Sequence, residues 1–140
     1  MKVRNILTDT IAPLEIHTDG RGEIIDIFYS ANIHHVAVIN NVGGSMRGNH
    51  YHKNTTQYLL VTQGECEYVY QPLDESEKVH SIIVKKNSLI TTSPNEVHAF
   101  ILKEDSQFIV FIEGIRGGPD YEKDTIRKQI IALPDGFKLS

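Results

Sequence analysis

Gly44-Ser45-Met46-Arg47-Gly48-Asn49-His50-Tyr51-His52-Lys53-Asn54-Thr55-Thr56-Gln57-Tyr58-Leu59-Leu60-Val61-Thr62-Gln63-Gly64 decides how this chain is read. His50 and His52 stand two residues apart and lead into an apolar alternation over residues 57–62. Side chains two apart on a strand project from one face, so both imidazoles enter one pocket, as two ligands or as two bases. Gln57 follows His52 by five positions, and across a hairpin or bend its amide returns to the same cavity. Gly64 then ends the strand in a turn.

Outward from this stretch the chain has the character of one globular domain. Its 140 residues suit a single core, since one core serves chains of roughly 100 to 200 residues. Hydrophobic residues make up 40% and charged residues 23%, an ordinary globular composition that argues against disorder. A net charge of -4 argues against a nucleic-acid partner, although a local basic pocket for a phosphorylated ligand is invisible in that total. The single cysteine rules out an intrachain disulfide framework and suits a reducing compartment. No apolar run reaches the ~20 residues that span a bilayer, and no apolar signal core opens the chain. The expectation is a cytoplasmic protein with no membrane partner.

Short period-two apolar runs separated by Gly, Pro, Asn and Asp predict many strands and few helices. The runs fall at residues 23–29, 35–40, 57–63, 66–71, 79–84, 89–92, 99–102 and 108–113. Turn signals lie between them, at Asp19-Gly20, Gly43-Gly44, 72–76, 85–87, Pro94-Asn95 and 103–106. Strands this short and evenly spaced predict an all-β sandwich or small barrel. After Gly114 the chain changes: Gly117-Gly118-Pro119 breaks the sheet, residues 121–127 are charged, and Ile130-Ile131-Ala132-Leu133 is apolar. Such a tail closes the barrel mouth or crosses to a second subunit.

The quoted stretch resembles the first cupin motif, in which a glycine, five residues, His-x-His, an acidic residue and a later glycine recur. Gly44, His50, His52 and Gly64 fall on it, with Gln57 where the family usually has Glu. Ser93-Pro94-Asn95-Glu96-Val97-His98-Ala99-Phe100 resembles the second motif, with His98 as the third histidine and Asn95-Glu96 where the family has a glycine. The resemblance implies an all-β double-stranded β-helix, or jelly roll, as a single domain over residues 1–140, with a core at 19–113 and a C-terminal tail at 114–140. Asp19-Gly20-Arg21-Gly22-Glu23 and Met46-Arg47-Gly48-Asn49-His50 further resemble segments of cupins that act on nucleotide-linked keto-sugars. These are the dTDP-4-dehydrorhamnose 3,5-epimerases, the dTDP-sugar 3,4-ketoisomerases and the cupin domain of capsular-polysaccharide reductases.

Such substrates require a base to remove a proton beside a ketone, an acid or oxyanion partner for the enolate, and return of the proton elsewhere. Histidine suits the base, with an unperturbed pKa of ~6.5. The candidate catalytic residues are therefore His50 and His52, together with Tyr68 and Tyr70, which share a face with Cys66; the usual pattern of that cupin strand implies that this face is the inner one. Arg21, Arg47 and Lys53 are the candidate substrate-binding residues: the planar guanidinium of Arg21 or Arg47 makes bidentate contact with the oxygens of a diphosphate, and Lys53 closes the His-x-His-Lys run of the resemblance. Plain structural roles stand beside these. They are hydrogen-bonded core histidines for His50, His52 and His98, salt bridges to Asp19, Glu23 or Asp26 for the arginines, and core packing for the tyrosines. Cys66 reads as a small buried hydrophobe.

His50, His52 and His98 with the Gln57 amide also make a candidate metal set suited to Zn, Ni, Fe or Mn. The resembling epimerases and ketoisomerases work without a metal, whereas the reductase's cupin domain is a zinc-associated relative. The reading is an epimerase or ketoisomerase of a nucleotide-sugar in surface polysaccharide biosynthesis. Its alternatives are a metal-dependent cupin dioxygenase or isomerase of another small molecule, and a non-catalytic sugar- or metal-binding cupin. Resemblance also implies a homodimer, with Tyr58 and Leu60 on the outer sheet face supplying the contact.

Overall fold

The computed structural model describes residues 1–74, 78–114 and 118–132; residues 75–76 of the expected 72–76 turn, and residues 115–117 and 133–140 of the tail, lie outside the described residues. In chain order the elements are β1 (Lys2–Asn5), β2 (Ile16–Asp19), β3 (Gly22–Ile25), β4 (His35–Asn41), β5 (Ser45–His52), β6 (Thr56–Gln63), β7 (Glu65–Pro72), β8 (His80–Lys85), β9 (Ser88–Thr92), β10 (Glu96–Leu102), β11 (Ser106–Glu113), a short helix α1 (Gly118–Asp124) and β12 (Thr125–Arg127). They form two five-stranded sheets, ordered β1-β9-β6-β11-β4 and β12-β5-β10-β7-β8, with β2-β3 as a separate hairpin. The pairings are antiparallel, and the two sheets close on each other as the expected jelly roll.

Period-two alternation decides which side chains enter the space between the sheets. Leu59 and Val61 of β6, Ile90 of β9 and Phe108, Val110 and Ile112 of β11 meet Cys66 and Tyr68 of β7, Val84 of β8 and Phe100 and Leu102 of β10. Full burial of an aliphatic or Phe side chain contributes roughly 1.5–3 kcal/mol, so this layer holds the sheets together.

The outer face of the first sheet carries a second apolar layer. Residues 23–29 do not form one long strand, because the chain leaves the β2–β3 hairpin after Ile25 and lays Ile27 and Phe28 over that face. There Ile6, Leu60 and Leu89 are buried, with Tyr58, Ile109 and Phe111 packed around them. Phe28 meets Tyr58 and Phe111 edge-on, at centroid distances of 5.0 and 4.8 Å. This corrects the expectation for Tyr58 and Leu60: the chain's own N-terminal segment covers them, and Leu60 is left 6% exposed. Apolar side chains remain in the open on the edge strands of this sheet, most of all on β4, with Val36 at 55% and Val38 at 58% exposure. No helix among the described residues is long and apolar enough to cross a membrane.

Candidate functional site

Strand β5 builds the site by interrupting its own alternation. Gly48 (φ 95°) and Asn49 (φ 60°) both adopt left-handed backbone. His50 stands opposite His98 and Gly48 opposite Ala99, so Asn49 is the extra residue of a β-bulge. The bulge turns the Asn49 side chain toward the C-terminal tail, where Oδ1 accepts the Ile130 and Ile131 N–H groups at 3.0 and 3.2 Å and Nδ2 donates to the Ile131 carbonyl at 3.2 Å. His50 and His52 then face His98 of β10.

The three imidazoles form one buried cluster. Ring centroids are 4.9 Å apart for His50 and His52, 4.8 Å for His50 and His98, and 5.5 Å for His52 and His98. One ring nitrogen from each lies within 4.8 Å of the others, a spacing a divalent ion could draw together. Gln57, the first inward residue of β6, reaches back as the sequence spacing suggested, with its Nε2 3.0 Å from His52 Nε2. His98 Nδ1 donates to the Glu96 carbonyl at 3.1 Å, which leaves Nε2 to carry the lone pair. Burial drives the His98 pKa down to about 4, with His52 pushing the same way and the Glu96 carbonyl opposing. At neutral pH the ring is therefore an uncharged base or ligand.

Beside the cluster lies a cavity of about 130 Å³. His50, His98, Gln57, Arg47 and Tyr121 form its polar wall, and Ile39, Leu59, Phe100, Phe108, Val110 and Ile112 line the rest. The Arg47 Nε donates to Asn41 Oδ1 at 2.6 Å, and Asn41 in turn donates to Ser106 Oγ at 3.1 Å, so the guanidinium is held at the wall.

Other residues singled out in the sequence lie elsewhere. Arg21 sits at the β2–β3 turn, outside this cavity, and its Nη2 meets Asp19 Oδ2 at 2.6 Å. That pairing lowers the Asp19 pKa and raises that of Arg21. Lys53 is exposed just past β5 and is tied by its backbone N–H to the Asp124 carbonyl at 3.0 Å. Tyr68 and Tyr70 do point inward with Cys66, but they stand behind His98 in the core and not on the cavity wall. The Tyr68 hydroxyl contacts Thr92 Oγ1 at 2.7 Å and donates to Glu96 Oε1 at 2.8 Å; burial, with the Glu96 charge, holds its pKa well above the ordinary phenol value. Tyr70 stacks between Tyr68 and His80. Burial likewise pushes the Cys66 thiol up to about 12, as expected of an inert core cysteine.

Two residues with no motif around them join the site from the tail. α1 and β12 fold back so that β12 pairs with β5, Thr125 opposite His52 and Arg127 opposite His50. Tyr121 thereby lines the cavity with its ring 5.7 Å from that of His52. Asp124 anchors the turn: its buried carboxylate accepts from the Asn54 backbone N–H at 2.9 Å, the Asn54 amide at 3.0 Å and the Thr55 hydroxyl at 2.6 Å. Of the two fates open to the tail in the sequence, its described residues pack on the site of their own chain.

A family model described as the polysaccharide biosynthesis C-terminal domain matches residues 17–114. No curated protein matches the chain at a significant level. Among solved structures, a dTDP-4-dehydrorhamnose 3,5-epimerase from Sulfolobus tokodaii is 21% identical, with 89% of this chain and 81% of that one covered and a TM-score of 0.68. A 3,4-ketoisomerase from Helicobacter canadensis is also 21% identical, with coverage of 91% and 90% and a TM-score of 0.70. The 3,4-ketoisomerase QdtA from Thermoanaerobacterium thermosaccharolyticum, in a variant bound to TDP-4-keto-6-deoxyglucose, is 18% identical, with coverage of 82% and 83% and a TM-score of 0.66. At these identities the likeness is one of fold, and that fold is the cupin jelly roll.

Proposed function

The chain belongs to the polysaccharide biosynthesis C-terminal domain family, and on that footing we propose that it is an epimerase or ketoisomerase of a nucleotide-linked 4-keto-6-deoxysugar in surface polysaccharide sugar synthesis. The observation that carries the reading is the single cavity whose wall brings together His50, Tyr121 and Arg47. A base, a phenol and a guanidinium are the parts that proton transfer on a diphosphate-linked ketone needs. The fold likeness to a ketoisomerase bound to TDP-4-keto-6-deoxyglucose supports this substrate class.

In this reading Arg47 holds the diphosphate, and nucleotide binding orients the sugar against His50. His50 removes the proton on the carbon beside the ketone, and the electron pair moves into the carbonyl to give an enolate. Tyr121 donates a hydrogen bond to the enolate oxygen. Return of the proton to the other face of the same carbon gives epimerisation, whereas a further proton shift between the two oxygens and return to the neighbouring carbon gives ketoisomerisation. Exchange of the substrate proton with deuterated solvent tests the reading.

The three-histidine cluster also fits a divalent ion. His50, His52 and His98 would hold it, with the Gln57 amide oxygen in reach after rotation of the amide. Such an ion would supply Lewis-acid polarisation of a carbonyl. This cluster is also what favours the second reading, a metal-dependent cupin enzyme acting on another small molecule.

The unit we propose is one domain over residues 1–140, working in the cytoplasm as a homodimer. The exposed Val36 and Val38 on the edge strand β4 support the dimer, since an open edge with an apolar face is a natural seat for a second copy.

A further inference from the structure

The residue opposite His52 on β12 carries a directed hydrogen-bond chain. Thr125 Oγ1 lies 2.9 Å from the Tyr121 carbonyl oxygen and 3.1 Å from His52 Nδ1. A carbonyl oxygen only accepts, so the threonine proton points at Tyr121. What Thr125 then offers His52 is a lone pair, and the Nδ1 that meets it must carry a proton. On the other side of the ring, His52 Nε2 sits 3.0 Å from the Gln57 amide nitrogen, a donor, which demands a lone pair at Nε2. Both contacts require the same neutral tautomer. His98 reaches it too, through the Glu96 carbonyl on its Nδ1.

We infer that Thr125 is a positioning residue that fixes His52 as the Nδ1–H tautomer, so that its Nε2 lone pair is presented to His98, His50 and Gln57. Asp124 makes this possible by locking the tail onto the β5–β6 connection through its three donors. Thr125 lies beyond residues 17–114, so this part of the site comes from chain outside the family match. What the Nε2 lone pair is used for, a metal or a proton, rests on the proposed function; the tautomer itself does not.

The test is long-range ¹H–¹⁵N correlation of the imidazoles in the full ¹⁵N-labelled chain at neutral pH with chelator present, with His52 assigned by loss of its signals in His52→Gln. The wild-type ring should show a protonated Nδ1 and a bare Nε2. Thr125→Val keeps the shape, removes the acceptor, and should shift His52 to a mixture of tautomers; Thr125→Ser should restore the wild-type pattern. In a parallel titration with zinc alone, Thr125→Val should weaken binding about 10- to 100-fold and Thr125→Ser should recover it, the usual effect of losing the group that orients a ligand histidine. A wild-type His52 with a proton on Nε2 overturns the inference without any variant, which covers the case in which Thr125→Val does not fold. A folded Thr125→Val with an unchanged His52 pattern overturns it as well. If zinc does not bind the wild type, the metal reading fails while the tautomer result still decides the role of Thr125.

Discussion

Gly48 lies against the backbone of His98 so closely that a Cβ added to it would stand 2.6 Å from the His98 carbonyl oxygen. The same residue has φ 95°, which an L side chain resists. Gly48→Ala therefore combines left-handed strain, about 1–2 kcal/mol, with overpacking against backbone, about 1–3 kcal/mol. A loss of at least about 2 kcal/mol should appear in urea unfolding. Because the strain sits where β5 meets β10, folded Gly48→Ala should also lose alignment of His50 with His98. A stability change under 0.5 kcal/mol, by the ordinary yardstick for surface substitutions, would remove the bulge from the account of the site.

His50→Asn keeps a hydrogen-bonding amide but no basic nitrogen. In deuterated buffer the wild type should incorporate deuterium beside the ketone of a dTDP- or UDP-4-keto-6-deoxysugar. The variant should still bind it while exchange falls by roughly 10²- to 10⁴-fold. Arg47→Ala should act in the opposite sense, weakening the nucleotide about 10- to 100-fold, as expected for a lost charged hydrogen bond, with exchange at saturation less affected. Binding without exchange across neutral pH would leave a binding module in place of an enzyme.

Metal content is a separate measurement. Protein purified without chelator should carry close to one divalent ion per chain, and His52→Ala, which removes one of three clustered imidazoles, should abolish it. Elemental analysis with no metal, and no uptake of added zinc or nickel, would leave the histidines as bases alone.

How far these features were legible in the sequence depends on how local their causes are. Apart from 23–29, which is strand only as far as Ile25, the apolar runs marked as strands became strands, because burial on one face writes a period of two into the residues themselves. His50, His52 and Gln57 were readable for the same reason: spacing along β5 and β6 brings them together. Asn95 replaces the family's glycine yet takes φ 66°, doing the backbone work that glycine usually does. Tyr121 and Thr125 left no such mark. They reach the site through the Asp124 anchor and the β12–β5 register, contacts some seventy residues apart that no local pattern encodes. Tyr68 and Tyr70 carried the right facing, but alternation cannot say at which level of a closed barrel an inward side chain meets the core or the cavity. Tyr58 and Leu60 failed as an outer surface because Ile6, Ile27 and Phe28 cover them, and nothing local in the run 23–29 marks that its second half leaves the strand to pack there.

The proposed dimer rests on the edge strand β4. Light scattering at micromolar concentration should give twice the mass of one chain, and Val38→Glu, which puts a charge on the exposed apolar edge, should shift the protein toward the monomer without unfolding it. A wild-type monomer would refute the dimer; a dimer indifferent to Val38→Glu would move its contact away from β4.

The pH dependence of stability comes from His98. Its ring is buried, and desolvation holds its folded-state pKa at about 4, against 6.5 for the exposed ring. Between those values the unfolded chain binds a proton that the folded chain refuses. The contribution of the neutral ring is thus intact above pH 6.5 and lost progressively as the pH falls toward 4, after which both states are protonated and the loss stops growing. At about 1.4 kcal/mol per pH unit the total is on the order of 3 kcal/mol. Urea midpoints measured with chelator present should fall steadily from pH 7 to pH 4, and His98→Gln should flatten that slope whatever it does to stability at pH 7. A direct NMR titration gives the same answer without a variant. His98 that titrates near 6.5 in the folded protein would mean that water reaches the cluster, and the acid sensitivity would then belong to other groups.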